Sequence, residues 1–163
     1  LRILGIDPGY ALVGYGVIDI VGNTIKPIAY GCITTTKKDT FHERMLQVNE
    51  QLVEIITEYK PDDMAIEKLF FSRNTSTALD VAQVRGTIIL EGLKHGLEVY
   101  EYNPVEVKLA VTGYGKADKQ QIQQMVKSLL NLKEIPKPDD TADALAIAIC
   151  HNNSAKIKGL ERR

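Results

Sequence analysis

The sequence predicts an α/β fold: a five-stranded mixed sheet, three antiparallel strands then two parallel ones, flanked by helices. Three observations carry that prediction. Residues 1–36 hold three apolar or alternating runs separated by turn signals, and sequential strands with short connections pair most simply as an antiparallel meander. From residue 39 the apolar period changes to that of a helix, and helical segments then alternate with two short strands. A strand, a helix and a strand imply a crossover, and so a parallel pair. The order is βββ-α-β-α-β-α-α-α. With no repeat or linker to divide it, the chain reads as one domain over residues 1–155 with a basic, frayed tail at 156–163.

Each element has its own warrant. Ile3, Leu4 and Ile6 form a buried run that Asp7-Pro8-Gly9 closes, because Pro8 has no N–H for a ladder. Val13–Ile20 alternates, turns at Gly22-Asn23, and a third strand follows from Thr24 to about Thr36. Asp39 or Thr40 can cap the first helix, in which Phe41, Met45, Val48, Leu52, Ile55 and Ile56 fall at helical spacing until Lys60-Pro61-Asp62. Met64–Glu67 is a short strand, and residues 68–76 form a loop. A long helix spans about Thr75 to His95 and ends at Gly96. Leu97–Tyr102 is the fifth strand. Helices are expected from Asn103-Pro104 through Ala110, over Ala117–Leu132 and over Thr141–His151.

Composition limits the function classes. The 163 residues are 44% hydrophobic and 25% charged, ordinary for a soluble globular protein. No apolar run reaches the ~20 residues of a membrane span, and the first residues lack a secretory pattern, so a cytoplasmic protein is expected. Cys32 and Cys150 are far apart, and His42, His95 and His151 do not pair with them at zinc spacing. A net charge of -1 argues against a general polyanion binder. It leaves room for a nuclease whose clustered acids offset local basic patches.

Asp7 and Glu67 end the first and fourth strands. If those strands are parallel neighbours, both carboxylates stand at one sheet edge, the edge at which open α/β sheets bind ligands. Asp7 before Pro8-Gly9 could also simply start a turn. A third acidic feature precedes the last helix, Pro138-Asp139-Asp140-Thr141-Ala142-Asp143. Capping explains one of its acids but not Asp143, at the margin of the apolar stretch; Asp140 and Asp143, three apart, share a helix face. Asp7, Glu67, Asp140 and Asp143 together offer the oxygen donors that a pair of hard divalent ions requires, Mg²⁺ with Mn²⁺ as a substitute. Two such ions can clamp the attacking water and leaving oxygen of a phosphodiester.

Taken in order, Ile3–Gly9, Gly14-Tyr15-Gly16, Ala65-Ile66-Glu67-Lys68-Leu69-Phe70, Ala82-Gln83-Val84-Arg85-Gly86 and Asp140–Ala146 resemble the RuvC family of bacterial Holliday junction resolvases over essentially the whole chain. The resemblance implies a ribonuclease H-like fold, a homodimer and Mg²⁺-dependent paired nicking of a four-way DNA junction, beside the branch-migration proteins RuvA and RuvB. It carries the four catalytic acids onto Asp7, Glu67, Asp140 and Asp143, with the i, i+3 spacing favouring Asp140 over Asp139. It implies DNA-binding or catalytic roles for Lys108 and Lys119, and picks Phe70 to stack on a base, leaving Phe71 open. Arg73, Asn74 and Lys116 complete the expected DNA contacts. The helix from Thr75 is apolar round much of its circumference, which fits either a two-fold dimer contact or a central core helix. Two other functions compete: an ATPase or sugar-kinase type of phosphate-binding lobe, which needs a second lobe, and a non-catalytic junction-binding module, which has no need of four acids.

Overall fold

The computed structural model of the protein describes residues 1–69 and 75–157, with Thr75, Lys156 and Ile157 described by backbone alone. Its strands are β1 (Arg2–Pro8), β2 (Leu12–Val21), β3 (Thr24–Thr34), β4 (Asp63–Glu67) and β5 (Glu98–Tyr102). Its helices are α1 (Phe41–Tyr59), α2 (Thr75–Lys94), α3 (Pro104–Thr112), α4 (Lys119–Leu129) and α5 (Asp139–Ile157). The strand order is β3-β2-β1-β4-β5. β1–β2 and β2–β3 are antiparallel, whereas β1–β4 and β4–β5 are parallel, as the sequence predicts.

Several boundaries differ from the predicted ones by a residue or more, and three of them bear on the site. β1 extends one position, with Pro8 opposite Val13 on the last rung, where a missing N–H costs little. α4 is trimmed at both ends, because Asp118 forms a capping box with Gln121 and Leu130 caps the other end. α5 starts at Asp139, two residues early, where the Thr141 N–H donates to the Pro138 carbonyl, and it runs to Ile157. The expected tail beyond Ile157 lies outside the described residues. Among the described residues no helix is long and apolar enough to cross a membrane.

Strand parity divides the core into two layers. Leu4, Ile6, Met64 and Ile66 face α1 and α2, packing with Leu52, Ile55, Ile56, Val84 and Ile88. Ile3 and Ala65 face the opposite layer of α3, α4 and α5, with Val107, Ile122, Val126, Leu145 and Ile147. Since strand side chains alternate, Asp7 and Glu67 share the face of Ile3 and Ala65 and point toward α5. The same face carries a buried polar link, in which His151 on α5 lies 3.0 Å from Asp63, at the start of β4, through Nε2 and 2.7 Å from the hydroxyl of Tyr102, at the end of β5, through Nδ1. That link helps fix the register of α5 on the sheet.

α5 is buried from Ala144 through Cys150, and it lies unusually close to the strands beneath it. A Cβ on Gly5 would come within 2.1 Å of the Ala144 carbonyl oxygen, and one on Gly14 within 2.0 Å of the Asp140 carbonyl oxygen. Only strands without side chains at these positions let the helix backbone rest on the sheet. This approach brings the first turn of α5 down onto the end of β1.

Candidate active site

Three elements deliver the acids. Parallel pairing sets Ile6 against Ile66, so Asp7 and Glu67 follow side by side at the ends of β1 and β4. Asp140 reaches over the β1–β2 turn, its Oδ1 4.0 Å from where a Gly9 Cβ would stand. Asp143 follows one helical turn on and faces the same strand ends.

Crowding shows in the acid strengths. The Asp7 carboxyl is pushed up to about 8, first by burial and then by the charges of Glu67, Asp143 and Asp140, with Lys119 acting in the opposite direction. Burial and Asp143 raise Glu67, while a hydrogen bond from Asp7 and the charge of Lys108 hold it down. Asp143 is raised to about 6, again first by burial, against the lowering influence of Lys119. Burial and mutual repulsion thus make both Asp7 and Glu67 hold a proton more readily than ordinary carboxyls.

Asp139 is placed differently. Its side chain is 54% exposed; it accepts from Gln123 Nε2 at 3.0 Å and pairs with Lys119 at 3.3 Å, turned toward α4. Asp140, not Asp139, is the one whose charge reaches Asp7. The two neighbours thus face different ways, Asp139 toward α4 and Asp140 toward the end of β1.

Two of the predicted lysines flank the acids. Lys119 opens α4 and lies 3.9 Å from Asp143, its own affinity for a proton raised by Asp139 and Asp143 against a desolvation penalty. Lys108, on α3, is near enough for its charge to hold Glu67 down. A cavity of about 250 Å³ opens between these groups, lined by Glu67, Lys108, Lys119 and Asp143. Larger grooves, of about 750 Å³ over Tyr114 and the glutamines of α4 and about 960 Å³ along residues 127–137, contain no acid cluster. Lys116 is exposed on the connection before α4. Phe70, Phe71, Arg73 and Asn74 lie outside the described residues.

Oxygen-only donors that repel one another fit a hard divalent ion, which would relieve the strain on Asp7. Among the described residues no three such side chains stand close enough to hold an ion as they are placed.

Sequence reasoning missed two kinds of residue. Arg85 on α2 donates from Nε to the Glu67 carbonyl at 3.0 Å and pairs with Glu101 on β5, tying the ends of the two parallel strands. An Arg in an apolar helix gave no direct sign of that. Gly5 and Gly14 read as part of a strand pattern, although a glycine inside a strand is itself a signal of close backbone approach.

Comparison with known proteins gives a consistent picture. The family model described as Crossover junction endodeoxyribonuclease RuvC matches residues 3–151. A protein of that description from Halothermothrix orenii is 54% identical over 155 residues, covering 95% of this chain and 94% of the relative. Another from Alkaliphilus oremlandii is 56% identical over 155 residues, with the same shares covered. Among solved structures, T. thermophilus RuvC in complex with a Holliday junction substrate superposes with a TM-score of 0.92 at 32% identity, covering 97% of this chain and 96% of the other.

Proposed function

The chain belongs to the RuvC family of crossover junction endodeoxyribonucleases, and on that premise we propose that it resolves four-way DNA junctions by paired, metal-dependent phosphodiester hydrolysis in recombination and repair. The observation that carries the reading is the convergence of Asp7, Glu67, Asp140 and Asp143, from three elements, on one sheet edge. An ATPase lobe would leave the α5 acids without a task, and a binding module would leave all four.

Asp7, Glu67, Asp140 and Asp143 would hold the ions, Mg²⁺ in the first instance and Mn²⁺ as a substitute. Bound there, divalent ions supply a nucleophilic water and stabilise charge on the leaving oxygen. Lys119 and Lys108 meet the scissile phosphate from the α3–α4 side, adding positive charge where negative charge develops. The products would be a 5′-phosphate and a 3′-hydroxyl that can be ligated. Phe70, Arg73, Asn74 and Lys116 are proposed as further DNA contacts, with Phe70 stacking on a base near the crossover.

The test is cleavage of a synthetic mobile junction beside a linear duplex of the same sequence, with and without Mg²⁺. Paired nicks in the junction alone, dependent on the metal, are expected; cleavage of both substrates alike would overturn the junction assignment. In the same assay Lys119→Met is expected to lower the single-turnover rate about 10²-fold, the usual cost of removing one preorganised charge from a reacting group. A rate within a factor of two of the parent would remove Lys119 from the chemistry.

Paired nicking requires two sites, and α2 offers the surface that would join them. Ala78, Val84 and Ile88 are buried in the core, whereas Leu79, Leu90 and Leu93 are 56–60% exposed. With Gln83 and Gly86 they form an exposed stripe at 4-3-4-3 spacing, and Gly86 has open space where a side chain would stand. Such a stripe suits the two-fold packing of α2 on its copy in a homodimer. The double substitution Leu90→Glu, Leu93→Glu is expected to give a folded monomer by light scattering; a persistent dimer would move the interface elsewhere. RuvA and RuvB remain the proposed branch-migration partners, on the family resemblance.

A further inference from the structure

The sheet edge that bears the acids continues past them in the other direction. Along it, from β5 to β3, come the ends of β5, β4 and β1, the start of β2 and the end of β3. Lys108 and Lys119 occupy the β5 side. At the β3 side stands Arg44 of α1, on the opposite face of the sheet from α5.

Arg44 is held in place by three contacts. Its Nε donates to the Thr35 hydroxyl at 2.9 Å, its second terminal nitrogen donates to the Tyr10 carbonyl at 3.3 Å, and its guanidinium lies 5.1 Å over the Tyr10 ring. Among the described residues it forms no ion pair with a carboxylate. Tyr10, 46% exposed, is the residue after Gly9, over which Asp140 reaches. Lys37 and Lys38 are exposed on the turn that follows β3. A fixed, unneutralised guanidinium stacked on an aromatic ring, with two exposed lysines two and three residues beyond its partner Thr35, is an arrangement for phosphate oxygens. Neighbouring strands are about 4.8 Å apart, so β3 and β5 lie roughly 10 Å to either side of β1. A DNA backbone crossing the acids therefore meets positive charge on both flanks.

We propose that Arg44, buttressed by Tyr10 and accompanied by Lys37 and Lys38, is a second phosphate-binding site that seats the junction arm on the β3 side of the scissile phosphate. The assignment rests on the nuclease reading above and deepens it. It divides the grip between two faces of the sheet, so that the strand is held on either side of the metal-binding acids.

The test is equilibrium binding of a four-way junction in EDTA, measured from low to moderate salt. Each lost phosphate contact lowers the log–log salt slope by about 1, a quantity that a merely structural defect leaves alone. Arg44→Met is expected to weaken binding about tenfold and reduce the slope by about 1, with Arg44→Lys recovering most of the slope. Lys37→Ala with Lys38→Ala, on an exposed turn where folding is not at risk, is expected to lower the slope by about 1 to 2. Weaker binding by Arg44→Met with an unchanged slope would make Arg44 a buttress of the turn and overturn the proposal, as would parent-like slopes in both variants. Parent protein that nicks the junction normally isolates such a failure to this site, whereas parent protein that neither binds nor nicks it would bring down the nuclease reading and this site together.

Discussion

Asp7→Asn is expected to abolish metal-dependent nicking and, in the same molecule, to raise the melting temperature of the metal-free protein. Both follow from one fact, that the Asp7 carboxyl is buried among Glu67, Asp143 and Asp140 and is pushed up to about 8. The unfolded chain releases this proton near its ordinary carboxylate value, whereas the folded chain keeps it until much higher pH. Between about pH 4 and 8 the folded state binds more protons than the unfolded state, so stability falls as pH rises through that window. An Asn amide imitates the protonated acid: it donates to Glu67 and never ionises. With EDTA at pH 7.5 the variant should therefore be the more stable of the two, with a Tm higher by several degrees. At pH 4.5 the gap should be much narrower, and below about pH 3, under both values, it should close. Added Mg²⁺ should stabilise the parent strongly and the variant little, and nicking should fall by at least about 10³-fold in the variant. Equal melting temperatures in EDTA at pH 7.5 would mean that Asp7 does not carry the repulsion assigned to it.

Much of this site is legible in the sequence because it depends on where strands end. An apolar run that stops at Asp7 and another that stops at Glu67 declare two carboxylates at strand termini, and a helix between them makes the strands parallel. Chain order then does the geometric work. Parity adds that both acids face α5, once Ile3 and Ala65 are known to share that layer. The helix boundary near Asp139 was less legible, because a residue after Pro138 can be either cap or first turn, and only the hydrogen bond from Thr141 to the Pro138 carbonyl decides it. Arg44 was illegible. In an amphipathic helix it reads as a solvated charge, and nothing local announces that Tyr10 and Thr35, from two different turns, will fix it in place. Contacts between distant turns are set by the whole fold, not by local period, and such contacts are what a pattern-based reading omits.

The distance between the sheet and α5 yields the second large effect. In Gly14→Ala the new methyl would fall 2.0 Å from the Asp140 carbonyl oxygen and 2.5 Å from its carbon. Both are backbone atoms, so no side-chain rotation can relieve the overlap. The first turn of α5 has to rise by about 1 Å or more, carrying Asp140 away from Asp7. Overpacking of this kind costs about 1–3 kcal/mol, and a 1 Å misplacement of a reacting group costs about 10² in rate. Nicking should therefore suffer more than folding: a fall of about 10²-fold beside a Tm lowered by only a few degrees. Gly16→Ala supplies the contrast, because its methyl would meet chiefly the Leu145 side chain, with Cδ2 at 2.6 Å, which can turn aside. Gly5→Ala would strike the Ala144 carbonyl at 2.1 Å, further along the helix, and should harm stability at least as much as Gly14→Ala. If Gly14→Ala nicks as fast as Gly16→Ala, the close seating of α5 is a matter of packing alone, and the acids reach one another without it. If it loses rate while gaining metal-free stability, the methyl has relieved the repulsion between Asp140 and Asp7, which would tie the stability cost of this site directly to the closeness that its chemistry requires.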